Sequence, residues 1–213
     1  MKKIKKEYYF ITLLLICFVF LTFFVVGGKT NSLDENTFNS IIKIENSFIT
    51  KFLYIITNLA STIGIIVLVI LTGVIFLRKK ALSDFKYVIS NVCVAVILMQ
   101  VLKQIIKRVR PSWKWIVQGG FSYPSGHTIS SFALYGTLML LVYKKVNGKY
   151  RKPLLIGFSL MIILTGFSRI YFGVHYLTDV LASVLLGSII LLVSNVLMNK
   201  EFINDKNKNN KTI

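Results

Sequence analysis

The sequence contains only two histidines, His127 and His175, and each sits in a string of residues suited to chemistry. The first string is Pro124-Ser125-Gly126-His127. The second runs Ser168-Arg169-Ile170-Tyr171-Phe172-Gly173-Val174-His175-Tyr176-Leu177-Thr178-Asp179. A third lies upstream, from Lys103 to Arg110-Pro111. His175 and Asp179 are spaced i, i+4. On a helix the carboxylate can then accept a hydrogen bond from the imidazole, fixing its tautomer and leaving the other nitrogen as a nucleophile. Lys103 and Arg110 share a face if helical, with Pro111 as the natural stop. Arg110 and Arg169 offer forked donors matched to phosphate oxygens, and Lys103 offers a point charge. Ser125 and Gly126 precede an apolar run, where the free N–H groups and positive dipole of a starting helix favour an anion. The pattern describes an anion site with acid–base chemistry.

The elements that must carry these strings are membrane spans. Of 213 residues, 54% are hydrophobic and only 16% charged, and mean hydropathy is +0.67. So few charges cannot cover a soluble surface, and disordered chains are polar. Apolar runs occupy 8–27, 52–77, 88–106, 128–143, 154–172 and 178–198. At about 20 residues each they fill about 120 residues of bilayer, leaving too little for a separate soluble domain. The expectation is an all-α protein of six transmembrane helices, one domain over 1–200 and a disordered cytoplasmic tail over 201–213. The run after the basic N-terminus is longer than a signal-peptide core and lacks a small-x-small cleavage site, so it reads as a retained first helix. Cys17 and Cys93 fall inside apolar runs and read as packing residues rather than a disulfide or zinc site. Segment 28–51 is polar, with short amphipathic structure expected around Phe38 to Phe48.

Seventeen of the 26 basic residues lie in the N-terminus, the 78–87 and 144–153 loops and the tail. These four segments share one side, and the positive-inside rule makes that side, with both termini, cytoplasmic. The net charge of +18 is therefore topology signal and contact with anionic lipid rather than a nucleic-acid footprint. Lys103, Arg169 and Asp179 are the ionisable side chains within the spans as drawn, each costing about 2.5 to 3.5 kcal/mol on insertion scales. All three sit at the outer face, where His127 and His175 also enter the fourth and sixth spans. The active site is expected at the extracytoplasmic ends of helices three to six.

The three strings resemble the three-part signature of the type-2 phosphatidic acid phosphatase family: K-x6-RP, PSGH and SR-x5-H-x3-D. Every signature position is filled, in order, between Lys103 and Asp179. The resemblance implies a metal-independent membrane phosphatase without cofactor, acting on a phosphorylated lipid held in the bilayer. His175 would attack phosphorus and form a phosphohistidine, with Asp179 holding it. His127 would protonate the leaving oxygen and then activate water. Lys103, Arg110, Ser125, Gly126 and Arg169 would hold the phosphate oxygens. Phosphatidylglycerophosphate, phosphatidate and undecaprenyl diphosphate all fit, and a bacterial cytoplasmic membrane is the expected location. No obligatory protein partner and no nucleic acid are called for. Vanadium-dependent haloperoxidases resemble the same site but are typically larger and soluble. A non-catalytic transporter or sensor would need the cations but has no use for His175 beside Asp179. Trp113, Trp115 and Phe121 read as interface anchors, Lys107, Arg108 and Lys114 as solvated rim charges, Gly173 as a turn and Tyr171 as packing.

Overall fold

The structure is a computed structural model describing residues 2–209, with side chains described from 6 to 198. Among the described residues the regular structure is entirely helical: α1 Lys2–Val26, α2 Asn31–Ile41 followed by a 3-10 turn at Ile42–Ile44, α3 Ser47–Leu59, α4 Thr62–Arg78, α5 Leu82–Ile106, α6 Gly126–Lys145, α7 Arg151–Tyr171 and α8 Leu177–Asn209. Four of these helices are long and apolar enough to cross a membrane, five if the bent pair α3–α4 is one span. Their outward faces carry exposed Phe20, Ile70, Ile97 and Ile163, the arrangement that lipid favours. Cys17 and Cys93 are also free and exposed on these faces rather than packed in the core.

At the centre stands α6, packed against α5, α7, α8 and α4. Its Ile129, Ala133 and Leu134 are fully or almost fully buried against Val88 and Ala95 of α5 and Ala182 of α8. Helix α6 is long enough to span, but its Ser, Thr and Gly content sets it apart from the four apolar helices. Those small polar residues are met from within the bundle, as where Asn91 donates to the Thr137 hydroxyl at 3.0 Å. Helix α1 closes the bundle against α8.

The run 52–77, expected as one span, is two helices bent by 60°. Ser61 is the cause: its hydroxyl caps α4 by accepting from Gly64 N–H at 3.1 Å. A Cβ on Gly64 would lie 2.4 Å from the carbonyl oxygens of Asn58 and Leu59, so only glycine allows α4 to start this close to the end of α3. In segment 28–51 the amphipathic helix begins earlier than expected. Phe38 of α2 is buried, whereas Phe48 stands 80% exposed. Helix α8 is continuous to Asn209, and the tail expectation over 201–213 falls on residues whose side chains, and from 210 onward whose backbone, lie outside the described ones.

Candidate active site

Helix α5 stops at Ile106, where Lys107 takes a left-handed conformation (φ 48°) and donates its N–H back to Lys103. Lys103 and Arg110 therefore do not share a helical face: Lys103 ends the helix and Arg110 lies in the loop beyond it, four residues past the stop. They converge all the same. Lys103 Nζ donates to the Phe121 carbonyl. Arg110 Nε donates to the carbonyls of Gly119 and Gly120, each at 3.0 Å, folding the loop over the ends of α5 and α6.

His175 likewise precedes its helix rather than lying on it. Asp179 in the first turn of α8 reaches back, its Oδ2 accepting from Tyr176 N–H at 3.0 Å and lying 3.3 Å from His175 Nδ1. Gly173, at φ 62°, makes the preceding turn possible, because a Cβ there would meet Trp113 at 2.9 Å as well as adopting a strained backbone. On the other side of the ring, Arg110 Nη1 is 3.0 Å from His175 Nε2. A guanidinium only donates, so Nε2 must carry the lone pair and the ring proton belongs on Nδ1, facing Asp179. Burial, reinforced by Arg169, Arg110 and Lys103, holds the His175 imidazole well below its usual pKa. The residue is neutral, with its basic nitrogen turned toward the cations.

Lys103, Arg110, Gly126, His127 and His175 line one cavity of about 540 Å³. Its inner wall is apolar, built from Ile65 and Ile66 of α4 and Val92, Val96 and Met99 of α5. Arg169 is 1% exposed and lines a second cavity, which His127 and Gln118 share with the first. Its Nη1 donates to the Thr57 hydroxyl and its Nη2 to Gln118 Oε1 at 2.9 Å. Ser125 lines neither cavity: fully buried, its hydroxyl accepts from Thr128 Oγ1 at 2.9 Å and caps α6. Among the described residues no three His, Cys, Asp or Glu side chains are grouped to hold a metal ion.

Two residues escaped the sequence reading. Arg108 is not a solvated rim charge. Its side chain is 10% exposed and bridges two carboxylates, Asp179 Oδ1 and Asp34 Oδ2, each at 2.7 Å. Burial opposes its charge, but Asp179 and Asp34 outweigh it and raise the guanidinium pKa. Asp34 of α2 also accepts from Thr178 through its backbone N–H (3.0 Å) and hydroxyl (2.8 Å). The Arg108 guanidinium lies 3.9 Å over the Tyr176 ring. Trp113 stacks on Phe38 at 5.0 Å and meets Tyr176 edge-on, so it joins α2 to the site. Trp115 packs edge-on to Tyr171 at 5.6 Å. Arg108 stands two residues from Arg110 and could have been suspected; Asp34, 74 residues away, left no spacing signal.

A helical bundle bearing this set of cations and histidines at one end places the chain in a family: residues 85–203, more than half of it, match the PAP2 superfamily, to which the chain belongs. Its relatives are lipid phosphatases. It is 28% identical over 185 residues to phosphatidylglycerophosphatase B of Bacillus subtilis (strain 168), covering 84% of this chain and 90% of that one. It is 27% identical over 198 residues to undecaprenyl-diphosphatase of Sulfolobus acidocaldarius, covering 89% and 91%. The crystal structure of a transmembrane PAP2-type phosphatidylglycerolphosphate phosphatase from B. subtilis superposes with a TM-score of 0.80 at 26% identity, covering 89% of this chain and 96% of that chain.

Proposed function

We propose that this protein removes phosphate from a lipid phosphomonoester or diphosphate by way of a phosphohistidine on His175, at the outer face of a six-span bundle with both termini cytoplasmic. The observation that carries the reading is the setting of His175, with Asp179 against Nδ1 and Arg110 against Nε2. A phosphate oxygen that takes the Arg110 N–H releases the Nε2 lone pair for attack on phosphorus. The bond from phosphorus to the lipid oxygen breaks with its electron pair on oxygen, and a proton from His127 completes the alcohol. In the second step water oxygen bonds to phosphorus, His127 takes a proton, and the N–P electron pair returns to His175. Lys103, Arg110, Arg169 and the N–H of Gly126 bear the charge on the phosphoryl oxygens throughout. Three cationic side chains thus take the neutralising part that magnesium has in other phosphoryl transfers, and the reaction needs no metal.

The span that completes the six is α6, fourth in chain order and less apolar than its neighbours because its polar groups face them. The apolar wall between α4 and α5 supports lateral access for a lipid whose headgroup reaches Lys103 and Arg110 while its chains stay in the bilayer. Purified protein assayed against phosphatidylglycerophosphate, phosphatidate and undecaprenyl diphosphate, in excess chelator, should release phosphate from at least one. Vanadate should inhibit by mimicking the five-coordinate transition state. His175→Ala should abolish turnover and spare headgroup binding. Activity lost to chelator and restored by magnesium would overturn the mechanism, and binding without turnover in the unaltered protein would make it a sensor.

A further inference from the structure

The second cavity, of about 530 Å³, opens at the break between α3 and α4 and meets the first only at Thr62, Gln118 and His127. Its chemistry differs from that of the lipid-facing groove. The break contributes Thr57, Asn58, Ser61 and Thr62, three hydroxyls and an amide, beside Tyr54, Ile63, Ile116 and Val117, whereas α4 and α5 give the first cavity Ile65, Ile66, Val92, Val96 and Met99. Arg169 lines this side, and its Nε, inside a residue 1% exposed, has no hydrogen-bond partner. Such an orphaned charged donor is costly unless something polar visits it. Gln118 stands between the two cavities, anchored on Arg169 Nη2.

We infer that the second cavity is the polar passage of the active site, through which water reaches the phosphohistidine and inorganic phosphate departs. The inference rests on the phosphatase reading and follows from the direction of attack. Displacement at phosphorus is in line, so the water that cleaves the N–P bond must arrive on the face the lipid oxygen has just left, beside His127. That face adjoins the groove whose apolar wall between α4 and α5 the lipid alcohol still covers, so water arriving there would have to displace it. His127 is the catalytic group common to both cavities, as it must be to protonate a lipid oxygen from one and take a proton from water in the other. Hydroxyls along the break supply the partners that a file of water needs. Arg169 offers Nε to a phosphate on its way out.

The experiment closes the passage without touching the machinery. Asn58 is exposed at its mouth, and its side chain is assigned no part in the chemistry. In Asn58→Trp, phosphoryl transfer from a lipid phosphate to His175, read as the first-turnover burst of lipid alcohol, should stay within about twofold of the unaltered rate. Hydrolysis of the phosphoenzyme and the onset of vanadate inhibition should both slow by about tenfold or more as water and small anions are excluded. Phosphohistidine should therefore accumulate. A companion variant guards against misfolding: Asn58→Cys in a Cys17→Ala, Cys93→Ala background, shown active and then capped with a bulky thiosulfonate. Capping should reproduce the slow hydrolysis, and a reductant should reverse it. Unchanged hydrolysis and vanadate onset in the plugged and capped proteins would overturn the passage and leave the phosphatase reading standing. No phosphoenzyme in the unaltered protein would overturn both.

Discussion

The proton on His175 Nδ1 follows from its neighbours, since Arg110 can only donate to Nε2 and Asp179 can only accept from Nδ1 while ionised. His127 shares the cavity without that arrangement, and the two imidazoles should separate when the leaving group is varied. Without His175 there is no nucleophile, and no substrate should restore activity. Without His127 a lipid alkoxide must leave unprotonated, a loss of about 10² to 10⁴ in rate. A nitrophenyl phosphate leaves as a weaker base, so phosphoryl transfer in His127→Ala should partly recover. Its hydrolysis should not, and an acid-labile phosphoenzyme should build up. Quenching in alkaline denaturant, which a phosphoramidate survives, followed by its loss on acidification, checks this: a phosphoenzyme found in His175→Ala and absent from His127→Ala means the two roles are exchanged.

Helix α2 reaches the Asp179 carboxylate by proxy. Asp34 holds Arg108 and the start of α8 together, Arg108 holds Asp179, and Asp179 holds His175. Removing one partner of a buried ion pair costs about 3 to 5 kcal/mol, because the other charge is left alone. Asp34→Asn should therefore lower thermal stability and reduce kcat, while KM changes little because Asp34 lines neither cavity. Asp34→Glu should recover part of kcat. A rise in KM with kcat intact would instead mean that α2 contacts the lipid. This element also marks where the sequence stopped being legible. His127, His175 and Asp179 stand out along the chain because they lie in strings with internal spacing; Ser125 lies in one too, but its place as a buried cap on α6, outside both cavities, is announced by no spacing. Arg108 reads along the chain as a solvated charge, since nothing in the sequence announces a carboxylate arriving from α2. The helical pairing of Lys103 with Arg110 failed because α5 stops before Pro111, at a left-handed lysine that propensity gives no reason to expect. The α3–α4 break was invisible for a like reason: Ser61 and Thr62 barely interrupt a hydropathy window, yet one capping hydroxyl and one glycine turn the chain by 60°.

Across the whole molecule, charge and polarity are sorted by end. Lys145 pairs with Asp84 at 2.6 Å at the end of the bundle far from the site, amid the basic loops that the positive-inside rule assigns to the cytoplasm. A reporter active only outside the cytoplasm should be active when fused after Trp115 and silent after Asn147; the reverse pattern would turn the catalytic end inward. Helix α6 carries a consequence for how such a molecule is made. Its Thr128, Ser130, Ser131 and Thr137 are buried among neighbouring helices, and a segment with so many hydroxyls gains little by leaving the insertion channel for lipid alone. It must wait beside α5 until α7 and α8 emerge from the ribosome to cover it. The helix that begins at Gly126 is thus made before α7 and α8 but settles among the last, and a chain truncated before α8 should be cleared by membrane proteases rather than persist as an inactive bundle.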